Sequence, residues 1–212
     1  VVINNPDGKL TYLGTSMITK QDNSKVGIKF FYDHFTEAIS KYREVFITSH
    51  KHADLDAIAS AIGVAVLLQD RKINSKIILP ELDETTSVVF QGLPKNIKEL
   101  FITEAAAIEI SSRKSAVVVT DVSSASRTQA ENLIENTHMN DTFVIDHHRV
   151  GLDVIETIDG NTYIDATASS VSEIITELFI FRGESVLQSL TKDISTILLS
   201  GIYLDTNELA RN

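Results

Sequence analysis

Apolar positions recur along this chain with two different periods. Short runs rich in β-branched residues occur at 45–49 (VFITS), 75–79 (SKIIL), 116–120 (AVVVT) and 142–145 (TFVI). Between them, at 55–70, 104–113 and 127–136, apolar residues follow a helical spacing. Strand alternating with helix predicts an α/β fold, a mainly parallel sheet with helices on both faces. Ahead of this pattern, Phe30, Phe31, Phe35, Ile39 and Tyr42 predict an amphipathic helix over 29–43. After it, helices are expected at 170–182 and 188–204, with a short extended run, TYIDA, at 162–166. Residues 1–28 read as a small β-type piece with a turn at PDG (6–8), and the polar run TKQDNSK (19–25) reads as a linker. ELDETT (81–86) reads as an exposed acidic loop. The chain therefore divides into 1–28, a small β-type piece with a linker or loop, and 29–212, one α/β domain.

Three of the β-rich runs end on aspartate and histidine. VFITS leads into His50, Asp54 and Asp56; AVVVT leads into Asp121; TFVI leads into Asp146, His147 and His148. In an open parallel sheet, ligands bind outside the carboxyl ends of the strands, so these loops converge on one crevice if their strands are neighbours. Asp205, at the end of an apolar helical run, can reach the same place. Clustered carboxylates raise one another's pKa, and a bound cation removes that conflict. Oxygen and imidazole donors without sulfur point to manganese, magnesium, iron or zinc, with manganese suiting the hard-donor bias. Taken singly, the residues have other readings: Asp54 and Asp121 as helix caps, His147 and His148 as a solvated turn. His52 falls outside a ligand spacing, and His34 and His138 read as surface residues.

Composition narrows the classes. The 212 residues carry a net charge of −10, which argues against a protein that grips duplex nucleic acid by its backbone. There is no cysteine, which excludes a disulfide framework and thiolate metal sites. No apolar run approaches the ~18 residues of a membrane span.

In order and spacing, His50-x-x-x-Asp54-x-Asp56, Asp121 after a strand, Asp146-His147-His148 and Asp205 resemble the four motifs of the DHH phosphoesterases. The likeness covers roughly 45–212. SHKHADLDAIASAIG, VIDHHRVG, ATASSVSEIITELF and SGIYLDT are most similar to the bacterial membrane-anchored cyclic-di-AMP phosphodiesterases, in which a degenerate GGDEF domain precedes the DHH domain. Residues 1–28 resemble the end of such a GGDEF domain. The resemblance implies a cytoplasmic domain of a membrane-anchored parent and two Mn2+ ions, Mg2+ or another divalent ion being an alternative. It also implies hydrolysis of cyclic di-AMP to linear 5′-pApA by metal-activated water. His50 and Asp54 would hold one ion, Asp56, His147 and Asp205 the second, and Asp121 both. Asp146 would orient His147, and His148 would face the scissile phosphate. Arg149 would pair with phosphate, and the helix start with Ser169 and Ser170 would hold a phosphate or order metal ligands; Ser170 with Glu173 also matches a capping box.

Two departures lie in the crevice. His52-Ala53 stands where the family often has Asn-Pro, and VSSASR follows Asp121 where relatives often have His-Lys-Pro. No Gly-rich motif of the following DHH-associated domain occurs before Asn212, so this piece alone is expected to hydrolyse poorly. Rival readings are a relative acting on short oligonucleotides, pyrophosphate or polyphosphate, and a nucleotide-sensing module without turnover. A homodimer is also compatible with the sequence.

Overall fold

A computed structural model describes the backbone of residues 2–4, 10–12, 17–82, 84–183 and 190–206, with side chains from residue 26 onward. Strands β1 (Val2–Asn4) and β2 (Leu10–Tyr12) pair antiparallel. The PDG turn expected between them lies outside the described residues. Helix α1 (Met17–Ile39) follows. It runs unbroken through the expected linker at 19–25, because polarity without proline does not interrupt a helix.

The main sheet has six strands, all parallel. They are β3 (Glu44–Thr48), β4 (Asn74–Ile78), β5 (Phe101–Ile102), β6 (Ser115–Thr120), β7 (Thr142–Asp146) and β8 (Thr162–Ile164). Their spatial order is β5-β4-β3-β6-β7-β8. Parallel strands covered on both faces read as continuous apolar runs, and every residue of β6 and β7 is buried. The chain builds outward from β3 to β4 and β5, then returns to β3's other side with β6. The strand order thus reverses between β3 and β6, the position where such sheets open a binding crevice.

One face of the sheet, through Val45, Ile47, Val118, Phe143 and Ile145, packs on α1, α2 (Leu55–Gln69), α7 (Val171–Arg182) and α8 (Lys192–Asp205). The other, through Phe46, Val117, Val119 and Val144, is covered by α5 (Glu104–Ile110) and α6 (Glu131–Glu135). Helix α2 is buried from Asp56 to Leu68, an unbroken apolar wedge between the sheet and the α7–α8 pair. Gly63 permits that closeness. A methyl group there would lie 2.7 Å from Ile175 Cγ2 and 3.0 Å from Leu198 Cδ2.

Within α1, Phe31, Phe35 and Ile39 share the buried stripe, while Phe30, a quarter-turn away, is 68% exposed. Helix α1 ends at Ile39, so Tyr42 is buried from the following turn, where its hydroxyl donates to Asp141 Oδ1 at 2.5 Å. Phe143 meets Phe35 and Tyr42 edge-on, at ring separations of 5.4 and 6.4 Å. Phe143→Ala is expected to destabilise the domain by ~3–5 kcal/mol, the usual cost of emptying a buried aromatic site; chemical denaturation measures it, and a loss below ~1 kcal/mol would contradict this core.

Three elements have no counterpart among the elements expected from the sequence: α3 (Glu84–Gly92), α4 (Lys95–Lys98) and β5. ELDETT therefore is not a simple loop. Glu84 opens α3 and Thr86 is buried. His138 is exposed, as a surface residue should be, but His34 is half-buried and hydrogen-bonds Asn161 Oδ1 through Nε2 at 2.9 Å. Among the described residues, no helix is long and apolar enough to cross a membrane.

Candidate metal centre

The carboxyl ends of β3, β6 and β7 bring the expected groups together. Asp121 lies at the middle, 3% exposed, directly after β6. Its backbone adopts φ +61°, a left-handed conformation that Asp tolerates better than most residues. This turn places its two oxygens toward different loops. Oδ2 is 3.4 Å from His50 Nε2, and Oδ1 is 3.5 Å from His147 Nε2. Asp54 Oδ1 lies 3.8 Å from His50 Nε2, and Asp205 Oδ2 lies 3.2 Å from His147 Nε2. Three donor sets result: His50, Asp54 and Asp121; Asp56, His147 and Asp205; and Asp121, His147 and His148.

Each aspartate reaches the centre by a different local device. Asp54 is the N-cap of α2, accepting from the Ala57 N–H at 3.0 Å, so the capping reading holds beside the ligand reading. Asp56, fully buried two residues further on, accepts from the Val171 and Ser172 N–H groups at 2.7 and 2.8 Å. The positive end of α7 is thus occupied by this chain's own carboxylate. Ser170 caps α7 by accepting from the Glu173 N–H, and Glu173 Oε2 accepts from the Ser169 N–H and hydroxyl at 2.7 and 2.6 Å. The serines expected to hold a phosphate or order metal ligands are therefore engaged in the helix start, and what that start orders is Asp56. Asp205 comes from the last residue of α8, where the helix dipole disfavours a negative charge. A nearby cation would offset that.

The imidazoles are set for ligation through Nε2. A carbonyl oxygen only accepts, so His50 Nδ1–H donates to Lys51 O (2.7 Å) and His147 Nδ1–H to Ala168 O (3.4 Å). Such bonds fix tautomer and ring plane in metal-binding histidines. Asp146 behaves differently from expectation. Its Oδ1 accepts from the His148 ring at 2.9 Å and from the backbone N–H groups of His147 and His148 at 2.8 and 3.1 Å. It orients the ring of His148, while the ring of His147 is oriented by Ala168.

These donors fit divalent ions. Asp121 Oδ1 and His147 Nε2 are buried without a hydrogen-bond partner, a cost that coordination would remove. The 3.2–3.8 Å separations come near the ~3 Å between neighbouring ligands of an octahedral cation with ~2.1 Å bonds. In the protein by itself, protons take the ions' place. Burial opposes a charge on His50, but Asp121 and Asp54 outweigh it and push the imidazole up to about 10. Burial likewise opposes a charge on His147, and Asp121 and Asp205 push it up to about 11. Burial and the charge of Asp121 push the Asp56 carboxyl up to about 7. At neutral pH an incoming cation must displace protons from both imidazoles, so metal affinity is expected to fall as pH falls. Manganese titration calorimetry at pH 7 in buffers of different ionisation enthalpy should show net proton release; heats independent of buffer would contradict it.

Beside the centre, residues 121–127 and 146–153 line a crevice, with Arg127 and Arg149 among its walls. Arg149 is exposed there, as a substrate-gripping residue would be. Arg127 was not foreseen. It is the one basic residue of the loop after Asp121, in VSSASR, and that was its only signal.

A parallel sheet whose order reverses beside a cluster of aspartates and histidines defines an α/β protein with a candidate divalent-metal centre. The chain belongs to the DHH family: residues 44–202 match the model of the DHH family, N-terminal domain. Among curated proteins it is 29% identical to the cyclic-di-AMP phosphodiesterase PdeA of Listeria monocytogenes, over 97% of this chain and 31% of that protein. It is 28% identical to the cyclic-di-AMP phosphodiesterase GdpP of Bacillus subtilis, over 99% of this chain and 32% of that protein. The chain thus spans about a third of the length of these relatives. Its fold is similar to that of an exopolyphosphatase-related protein from Bacteroides fragilis, with a TM-score of 0.64 and 18% identity, covering 84% of this chain and 51% of that one.

Proposed function

We propose that this chain is the metal-binding hydrolytic domain of a phosphodiesterase that opens cyclic di-AMP to the linear dinucleotide 5′-pApA. The observation that carries the reading is the position of Asp121, whose two oxygens face two separate histidine–aspartate sets. His50 and Asp54 would hold one manganese ion, Asp56, His147 and Asp205 the other, and Asp121 both. When bound, the ions supply an activated water and neutralise charge on the phosphoryl oxygens.

The remaining work falls to the chain's own groups. Asp146 holds the His148 ring through Nδ1, leaving Nε2 for the substrate. Asp146 also stabilises the protonated ring, which raises the His148 pKa against the opposing effect of burial. A protonated His148 is suited to giving its proton to the departing ribose oxygen, with Arg149 pairing with a phosphate oxygen. The names of PdeA and GdpP supply the nucleotide; the donor geometry supports phosphodiester hydrolysis.

The test is turnover of cyclic di-AMP with manganese, by the chain or the natural protein that carries it, with products separated by chromatography. Release of 5′-pApA that chelation abolishes is expected. A fully metal-loaded natural protein that leaves cyclic di-AMP intact would overturn the proposal. His148→Ala should lower kcat by ~100-fold or more, the usual scale for general acid catalysis, with manganese content unchanged; loss of the metal along with activity would assign His148 to coordination.

A further inference from the structure

The loop after Asp121 is tied down on both sides, yet its guanidinium makes no ion pair among the described residues. On one side, the Lys51 N–H donates to Arg127 O at 2.8 Å, the Gln129 N–H to Ser49 O at 2.9 Å, and Lys51 Nζ to Ser126 O at 2.9 Å. These bonds fasten Arg127 to the segment that carries His50. On the other side, the hydroxyls of Ser124 and Ser126 both donate to Asp153 Oδ2 at 2.7 Å, and the Ile155 N–H donates to Ser123 O at 2.8 Å. These fasten it to the segment that follows His148. The backbone of Arg127 is therefore held where the two walls of the crevice meet. Its side chain lines that crevice with Asp121 and His148 and makes no ion pair among the described residues.

In a chain of net charge −10, carboxylates are plentiful. Lys51, Lys29, Lys95 and Arg182 each have one within reach. Asp153, on the facing wall, has Oδ2 engaged by two hydroxyls. An exposed guanidinium carried by a fastened backbone at a crevice, with no ion pair among the described residues, is available to an anion with the fork geometry of phosphate. His148 and Arg149 come from the segment after β7; Arg127 comes from the loop after β6, the other segment that lines the crevice.

We infer that Arg127 binds the second, non-reacting phosphate of a substrate that carries two, and so makes this crevice selective for dinucleotides over single phosphodiesters. The assignment rests on the phosphodiesterase reading for the nature of the ligand. It gives Arg127 a specificity role, distinct from metal binding and from the proton transfer assigned to His148.

The test compares wild type with Arg127→Ala and Arg127→Lys. Binding is read by calorimetry with manganese and the hydrolysis-resistant bis-phosphorothioate of cyclic di-AMP. Turnover is read with cyclic di-AMP and with bis(p-nitrophenyl) phosphate, which has one phosphate. Arg127→Ala should weaken dinucleotide binding about tenfold or more, the scale of one lost charge-assisted hydrogen bond. It should also lower the kcat/KM ratio of the two substrates by a similar factor, mainly through KM, and lysine should restore part of the loss. Equal binding by wild type and variant, or no binding by wild type, overturns the assignment. So does an equal loss on both substrates. Wild type that binds the dinucleotide through Arg127 but hydrolyses neither substrate sinks the hydrolase reading and leaves Arg127 as a phosphate ligand. Arg127→Gln, which keeps the side-chain length without the charge, replaces alanine if that variant does not fold.

Discussion

Asp121→Ala is expected to empty both metal positions at once and reduce hydrolysis below detection. Among the described residues, no other offers an oxygen to both histidines: Oδ2 faces His50 and Oδ1 faces His147. Losing an outer partner of a metal ligand costs ~10–100-fold in affinity, and losing a shared ligand should exceed that at each position. The left-handed backbone at this residue complicates the alanine variant, because alanine tolerates positive φ poorly. Asp121→Asn separates the two effects. Asparagine accepts that backbone and keeps the shape while removing the charge. Both variants should lose manganese after gel filtration, the asparagine form with its melting temperature in the absence of metal little changed. An asparagine variant that retains two ions would show that Asp121 does not bridge.

Gly201→Val should have the next largest effect, on one metal position only. At Gly201, α8 passes so close to α7 and α2 that a Cβ would lie 2.5 Å from Ser172 Oγ and 3.0 Å from Asp56 Oδ1. A valine must push α8 outward, carrying Asp205, one turn further on, away from His147. Overpacking of this kind costs ~1–3 kcal/mol, visible as a lower denaturation midpoint. The larger consequence is for binding. Asp56, His147 and Asp205 lose their common geometry, while His50, Asp54 and Asp121, just past β3, at the N-cap of α2 and just past β6, are not among the nearest groups that a side chain at 201 would meet. Titration should find one manganese equivalent bound near the wild-type affinity and the second weakened by more than tenfold. Equal weakening of both would contradict the division of ligands.

The strands were legible because a parallel sheet buries both faces, so VFIT and AVVV stand out as apolar runs. The gathering of the candidate ligands was legible for a related reason. Aspartates and histidines directly after such runs have only one end of the sheet to occupy. What escaped was whatever depends on contacts distant in sequence. Asp146 adjoins His147 and His148 alike, and only the fold shows that it takes the ring of His148. Ser169 and Ser170 begin a helix in a pattern that fits either a phosphate or the ordering of metal ligands, and only the fold shows that the group held there is Asp56, some 115 positions away. Helices α3 and α4 are too short for a period to show. Arg127, in a serine-rich loop without periodicity, acquires meaning only from the two segments that pin it.

The account turns on two divalent ions held on either side of one aspartate. Crystals of the chain grown with manganese and measured at the manganese absorption edge test this directly. Two anomalous peaks should flank the Asp121 carboxylate, one contacted by His50 and Asp54, the other by Asp56, His147 and Asp205. A single peak, or peaks that leave Asp121 without a metal contact, would contradict it.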